Sequence, residues 1–132
     1  MIVNRELSAR MAEKVGAEPK QCFLNAWQAL QCEHELEGGL YVEGWAVTDD
    51  DALVIEHGWL ELGGEIVDPT VYDPPARAYF PVLRFDRDQA RAELAANDGE
   101  LPIVWRYGQG AASPEYRQAY EDALEFSGMI LS

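Results

Sequence analysis

The stretch ALVIEHGWLELGGEIVDPT, residues 52–70, decides the fold of this protein, because it contains two strand-like segments joined by a pair of glycines. The segment before the glycines is rich in aromatic and β-branched residues, which favour strands. Gly63-Gly64 is typical of the turn of a β-hairpin. The stretch therefore predicts two short antiparallel strands that end at Asp68-Pro69.

The turn also sets the register of this hairpin. With a two-residue turn Leu62 faces Glu65, and the same register makes His57 and Asp68 diagonal neighbours on one face. The Cα atoms of diagonal neighbours lie about 7–8 Å apart. A carboxylate there can accept a hydrogen bond from the imidazole, fix its tautomer and stabilise the imidazolium. A slip of one residue would place the two side chains on opposite faces.

The other segments predict an α+β fold. Helical periodicity and capping residues indicate helices over residues 4–16, from 19 to about 32, from 86 to about 96 and from 113 onward, and apolar runs indicate strands at 39–47, 79–85 and 101–107. Pro81 is typical of an edge strand or a bulge. Because no repeat or linker divides the chain, we expect one domain over residues 1–132, with N-terminal helices packed on a mainly antiparallel sheet.

The charge of the chain is strongly acidic and unevenly distributed. The formal net charge is −14, and residues 21–76 contain twelve Asp and Glu but no Lys or Arg. Such a field repels nucleic-acid backbones and attracts cations, so we expect a basic substrate or partner and no direct nucleic-acid binding. The alternative interpretation is an acidic surface that only favours solubility.

Composition also favours a cytoplasmic protein. No apolar run approaches the roughly 20 residues of a membrane-spanning helix, so we expect no membrane association. The first twenty residues lack the continuous apolar region of a signal peptide. The two cysteines, Cys22 and Cys32, form no disulfide framework, which is typical of a reducing compartment. The sequence leaves the oligomeric state open.

Cys22 is the candidate nucleophile. It falls in or just after the first turn of the predicted second helix, where free backbone N–H groups and the helix dipole favour a thiolate. The same N–H groups can bind an oxyanion during acyl transfer, and the side chain of Gln21 is a possible further donor. The alternative is a structural role, because free cysteines are among the most buried residues in proteins.

The segment from residue 22 to residue 70 resembles the transglutaminase-like core, a core related to those of arylamine N-acetyltransferases and papain-like peptidases. The most specific motifs are HGWLE at 57–61 and VDPT at 67–70, which follow a cysteine at a helix N-terminus in the order Cys, His, Asp. Gly58 stands where the family usually has alanine. The resemblance covers a little over a third of the chain and indicates a superfamily rather than a substrate.

By this resemblance Cys22 is the nucleophile, His57 the general base and acid, and Asp68 the carboxylate that orients the imidazole. The expected function is cysteine-dependent acyl transfer, or hydrolysis of an amide or thioester, on a peptide, protein or amine substrate. Glu43 and Trp59 are further candidates for contacts to the substrate. We expect no cofactor.

Two other functions stay open on the sequence alone. One is a non-catalytic acidic protein that occupies a basic surface of a partner, as an inhibitor does, and the other is an inactive relative with a structural role. A metal site at Cys32-Glu33-His34-Glu35 is disfavoured, because the cysteines and histidines lack any standard zinc spacing.

Overall fold

The computed structural model describes residues 1–48, 53–70, 76–104 and 113–128. Four α-helices, a 3₁₀ helix (His34–Leu36) and four strands lie within these ranges, and none of these helices is long and apolar enough to cross a membrane. In chain order the elements are α1 (Arg5–Val15), α2 (Cys22–Cys32), β1 (Leu40–Thr48), β2 (Val54–Leu62), β3 (Glu65–Val67), β4 (Ala76–Phe85), α3 (Arg87–Ala96) and α4 (Pro114–Ser127). The expected α+β class is confirmed.

The strands form one antiparallel sheet in the order β3-β2-β1-β4. At the β3 end, Val3 adds a parallel bridge to Ile66. At the other end, the register of β4 against β1 shifts between Glu43 and Gly44, and Pro81 pairs with Gly44 beside this shift. The edge position and the bulge predicted from Pro81 are both confirmed, because proline cannot donate a hydrogen bond to a central ladder.

The predicted capping residues begin three of the helices. The side chain of Asn4 accepts a hydrogen bond from the backbone of α1, and Gly16, in a left-handed conformation, is the cap after its last residue. Asp86 and Gln89 form a reciprocal capping box at α3, and the hydroxyl of Ser113 caps α4. These contacts satisfy backbone N–H groups that have no partner inside a helix, so local sequence is sufficient to fix these three starting points.

The second helix begins later than the sequence predicts. We expected its start near Pro19, but α2 begins at Cys22. Lys20 has a φ of 66°, a left-handed conformation that ends any helical turn begun at Pro19. Cys22 is consequently the first helical residue, and its own backbone N–H belongs to the unpaired donors of the helix N-terminus.

The strand predicted at residues 101–107 is not formed in its described part. Residues 101–104 contain no strand, and residues 105–107 lie outside the described ranges. The backbone N–H groups of Ile103 and Val104 donate to the two carboxylate oxygens of Glu43, at 2.7 and 2.6 Å. A buried side chain therefore takes the donors that a strand would have used in a ladder.

The two faces of the sheet contribute to different apolar clusters. On β2, Leu60 packs in the larger cluster together with the helices, whereas its neighbour Trp59 packs in a smaller one with Val42 and Ile66. This division follows from the alternation of side chains along a strand. His57 has the same parity as Trp59 and therefore projects from the face that carries the smaller cluster.

Candidate active site

The hairpin brings His57 and Asp68 into direct contact. Leu62 pairs with Glu65 and Leu60 with Val67, which is the register predicted from the two-residue turn. The Nε2 atom of His57 lies 2.7 Å from Oδ2 of Asp68. Both residues are buried, with 1% of His57 and 4% of Asp68 exposed.

Other donors complete the surroundings of the Asp68 carboxylate. Its Oδ1 atom accepts the backbone N–H of Thr70 at 3.1 Å, and its Oδ2 atom also accepts the hydroxyl of Tyr79 at 2.8 Å. The backbone N–H of Asp68 donates to the hydroxyl of Ser8 at 2.9 Å. Burial of this carboxylate is tolerated because both oxygens are hydrogen-bonded.

Cys22 lies at the start of α2, next to His57. Its thiol lies close enough to His57 to raise the pKa of the imidazole, and 7% of the residue is exposed. Nε2 of His57 faces Asp68, so Nδ1 is the ring nitrogen on the side away from the carboxylate. The structure thus joins all three residues of the predicted triad in the order Cys22, His57, Asp68.

The charges around His57 favour its protonated form. Burial lowers the pKa of His57, but the charge and hydrogen bond of Asp68, together with the contact to Cys22, raise it to about 10. Opposite charge and hydrogen bonding outweigh desolvation here. At neutral pH the imidazole therefore carries a proton that can be passed to a reacting group.

Two contacts hold α2 in register with the hairpin. Asn25 donates to the hydroxyl oxygen of Thr70 at 2.7 Å and to the carbonyl oxygen of Glu18 at 2.9 Å. Phe23 packs over Gly58 so closely that a Cβ atom at Gly58 would lie 2.7 Å from its Cδ1 atom and 3.0 Å from its Cα atom. Glycine in place of alanine at position 58 is thus what permits this close approach of the helix.

The structure places Gln21 and Trp59 in different environments. Gln21 is exposed at the N-cap of α2, beside Cys22, which leaves its side chain available to a bound group. Trp59 is fully buried, stacks against His57 at a centroid distance of 6.0 Å, and presents no surface to a substrate. The substrate contact predicted for Trp59 is therefore corrected to packing, because the whole ring is buried against His57 and Tyr79.

Glu43 is also placed differently from the prediction. It is fully buried, and its carboxylate accepts from the hydroxyl of Tyr41 at 2.5 Å as well as from the backbone of Ile103 and Val104. Burial raises the pKa of Glu43, and the charge of Glu56 adds to this effect. The carboxylate of Glu43 therefore joins β1 to the segment after α3, and the contact to a substrate predicted for it is corrected to this structural role.

Basic residues from outside the acidic stretch neutralise part of it. Glu35 is paired with Arg10 at 2.6 Å and with Lys14 at 3.3 Å, and Glu61 is paired with Arg84 at 2.8 Å. These contacts join positions that are distant in sequence, so the sequence alone could not show them. The acidic surface is accordingly smaller than the absence of Lys and Arg from residues 21–76 suggests.

The Cys32–Glu35 segment has a structural role in the described contacts. Glu35 is the ion-pair partner of α1, while the side chain of His34 is 93% exposed and lies 3.5 Å from Glu37. Within the ranges that the structure describes, no group of three His, Cys, Asp or Glu side chains is arranged to hold a metal ion.

Sequence reasoning did not single out Tyr79 or Asn25 as part of the site. Tyr79 lies in a segment that was recognised only as a strand, and Asn25 in one recognised only as a helix. The signal that could have found Asn25 is a polar residue beside the apolar stripe of α2, where a buried amide requires partners.

No family model matches the chain, and no curated protein or solved structure is significantly similar to it.

Proposed function

We propose that this protein is a cysteine enzyme that performs acyl transfer, or hydrolyses an amide or thioester, with Cys22 as its nucleophile. The observation that carries this proposal is the buried chain of contacts from Cys22 through His57 to Asp68 at the first turn of α2. A nucleophile, a base within hydrogen-bonding reach and a group that orients the base are the three parts of a covalent catalytic site.

The first half of the reaction forms an acyl-enzyme. The sulfur of Cys22 attacks the carbonyl carbon of the substrate as a thiolate, while His57 beside it is the imidazolium. The negative charge that develops on the carbonyl oxygen is stabilised by backbone N–H groups at the start of α2 and by the side chain of Gln21. The tetrahedral intermediate then collapses as His57 donates its proton to the leaving amine or thiol, which leaves a thioester on Cys22.

The second half releases the acyl group. Water, or an amine, gives a proton to Nδ1 of His57 while it attacks the thioester carbon, and the thiolate of Cys22 leaves. His57 is then protonated again and Cys22 is again a thiolate, so the enzyme ends in its starting state. Asp68 remains ionised throughout and stabilises the imidazolium, as a carboxylate does in a serine protease triad.

The motif resemblance supports the same function from a separate line of reasoning. The HGWLE and VDPT segments resemble the transglutaminase-like core, in which these positions supply the histidine and the aspartate. We infer that the present hairpin and the helix that begins at Cys22 are a short version of that core. Peptidase or isopeptidase activity is favoured over cross-linking, because a small domain offers little to exclude water from the acyl-enzyme.

We further propose a substrate that carries positive charge, such as a basic peptide, a basic protein or an amine. The net charge of −14 supports this proposal, because it concentrates cations near the protein. Both cysteines are free thiols, which fits a site that works in the reducing cytoplasm.

The test is the pH dependence of iodoacetamide alkylation at Cys22, followed by mass spectrometry in the wild type and in His57→Ala. An activated Cys22 reacts well below the unperturbed thiol pKa of about 8.5 and loses this reactivity in His57→Ala. Cys32 is exposed and serves as the internal control in the same sample. If Cys22 is inert, or shows the same pH profile as Cys32 in both proteins, the enzyme proposal fails.

A positive result leads to a screen of peptide amides and thioesters with basic and neutral side chains. Turnover is expected in the wild type and not in Cys22→Ala. Failure of the alkylation test would instead favour the acidic binding protein, whose partner affinity tolerates Cys22→Ala and falls with added salt.

A further inference from the structure

Tyr79 contacts the same oxygen atom of Asp68 that holds His57. Its hydroxyl donates to Oδ2 of Asp68 at 2.8 Å, beside the 2.7 Å contact of His57 Nε2 to that oxygen. Tyr79 lies on β4, the edge strand, whereas His57 lies on β2 and Asp68 follows β3. Three parts of the sheet therefore meet at one carboxylate oxygen.

We propose that Tyr79 is a positioning residue of the Cys22–His57–Asp68 site. This inference rests on the proposed function and deepens it. The hydroxyl of Tyr79 acts through Asp68, which in turn orients His57, while the ring of Tyr79 lies 6.1 Å from the ring of His57 between centroids.

The geometry of the sheet leads Tyr79 to this position. On β1, Ala46 pairs with Tyr79 and Gly44 pairs with His57. Side chains of paired residues project from the same face, so the β1 residues between Tyr79 and His57 on this face are Ala46 and Gly44, which are both small. The ring of Tyr79 also packs edge-to-face on Trp59, with centroids 5.0 Å apart.

Two donors on one oxygen act on Asp68 in two ways. They fix the orientation of the carboxylate, because Thr70 holds the other oxygen and leaves no freedom of rotation. They also share its negative charge, so that the hydrogen bond from Tyr79 weakens the hold of Asp68 on the proton of His57. Tyr79 thereby limits the basicity of His57 and keeps its proton available for transfer to a leaving group.

Tyr79 keeps its own proton in this environment. Burial raises the pKa of Tyr79, as do the charge and hydrogen bond of Asp68, and only the charge of Arg5 on α1 lowers it. The groups that act on His57 itself are Asp68 and Cys22. The phenol is thus a donor throughout the pH range in which the site would work.

Tyr79→Phe tests the role of the hydroxyl while it keeps the ring. Phenylalanine is chosen because the ring of Tyr79 lines a cavity of about 400 Å³ together with Ile66 and Phe126. A residue without the ring would enlarge this cavity towards Asp68. The matched control is Tyr116→Phe, which removes a hydroxyl that donates to Glu56, a carboxylate on the strand of His57. Both variants lose one tyrosine–carboxylate hydrogen bond, but only one loses it at Asp68.

The first readout is the titration of the imidazole nitrogens by NMR, with the exposed His34 as the reference. In Tyr79→Phe the midpoint of His57 is expected to rise by about half a unit to one unit, and the pH profile of Cys22 alkylation to change with it. Tyr116→Phe is expected to leave both unchanged. An unchanged His57 midpoint in Tyr79→Phe, or an equal shift in both variants, would overturn the proposal.

A second measurement keeps the side chain whole. Replacement of Tyr79 by 3-fluorotyrosine makes its phenol a stronger hydrogen-bond donor. The titration midpoint of His57 should therefore fall rather than rise. No change would count against Tyr79. The NMR midpoint of His57 does not depend on any reaction at the sulfur of Cys22. If Cys22 is inert but the midpoint shifts as expected, the enzyme proposal fails. The effect of Tyr79 on Asp68 and His57 is still established in that case.

Discussion

Asn25 donates a hydrogen bond to the hydroxyl oxygen of Thr70 at 2.7 Å, and this contact joins the helix that begins at Cys22 to the segment that contains Asp68. The same amide donates to the carbonyl oxygen of Glu18 before the helix. Asn25 is only 4% exposed. Water therefore cannot take the place of its hydrogen-bond partners unless the surrounding residues rearrange. The relative position of nucleophile and carboxylate is therefore fixed by a polar contact as well as by apolar packing.

Asn25→Ala is expected to lower both stability and the reactivity of Cys22. The substitution leaves the hydroxyl of Thr70 and the carbonyl of Glu18 without this donor, which costs about 1–3 kcal/mol in the free energy of unfolding. Urea unfolding measures the loss, and iodoacetamide alkylation measures the reactivity. Gln31→Ala is the control on the same helix, because Gln31 donates to the backbone of Arg87 away from the site. Equal effects of the two variants on alkylation would contradict the role of Asn25.

Gly58→Ala is expected to displace the start of α2. The new Cβ atom would lie 2.7 Å from Cδ1 of Phe23, so the ring or the helix must move, and overpacking of this kind costs about 1–3 kcal/mol. Thermal unfolding and Cys22 alkylation should both reveal the change. In the double variant with Phe23→Ala the tightest contact is absent, so the added cost of Gly58→Ala should shrink. Strict additivity of the two substitutions would show that Gly58 and Phe23 are not coupled.

The stability of the protein should fall as the pH rises from about 6.5 to about 10. The folded-state pKa of His57 is raised from 6.5 to about 10, so the protonated imidazole stabilises the folded state fully below the lower value. This contribution, on the order of a few kcal/mol, is lost as the pH rises through the upper value. Chemical denaturation across this range in the wild type, His57→Gln and His34→Gln measures it. The fall should disappear in His57→Gln alone; a fall of the same size in that variant would assign it to other groups.

Asp68→Asn is expected to remove the activation of Cys22 with little change of shape. An amide cannot stabilise the imidazolium by charge, so the pKa of His57 should fall and alkylation at pH 6 should slow by about tenfold or more. Asp88→Asn on α3 is the control, because the Asp88 side chain is 91% exposed. Unchanged alkylation in Asp68→Asn would mean that the carboxylate does not act on Cys22 through His57.

The part of the site that could be predicted from sequence is the part specified by local chemistry. Gly63 and Gly64 have φ angles of 58° and 81°, values that glycine adopts without steric cost. The turn that they form sets the hairpin register, and the register alone makes His57 and Asp68 neighbours. For the same reason the capped starts of α1, α3 and α4 were predictable, since each depends on a side chain within a few residues.

The predictions that were wrong depend on features that have no signal in the local sequence. The start of α2 depends on the left-handed conformation of Lys20, which is rare for a residue with a side chain and has no local sequence signal. The burial of Glu43 depends on donors from Ile103 and Val104, and their engagement is also why residues 101–104 form no strand. A carboxylate on a strand is usually exposed, so its burial follows only from partners that the fold supplies.

The sequence by itself determined the α+β class, the hairpin and its register, the bulge at Pro81 and the candidates Cys22, His57 and Asp68. Only the tertiary structure decided that Cys22 meets His57, that Asn25 and Gly58 fix the helix against the hairpin, and that Tyr79 reaches Asp68 from the opposite edge of the sheet. The physical reason is that turn, cap and alternation preferences act over a few residues. Contacts between distant segments form only when the whole chain buries its apolar faces together.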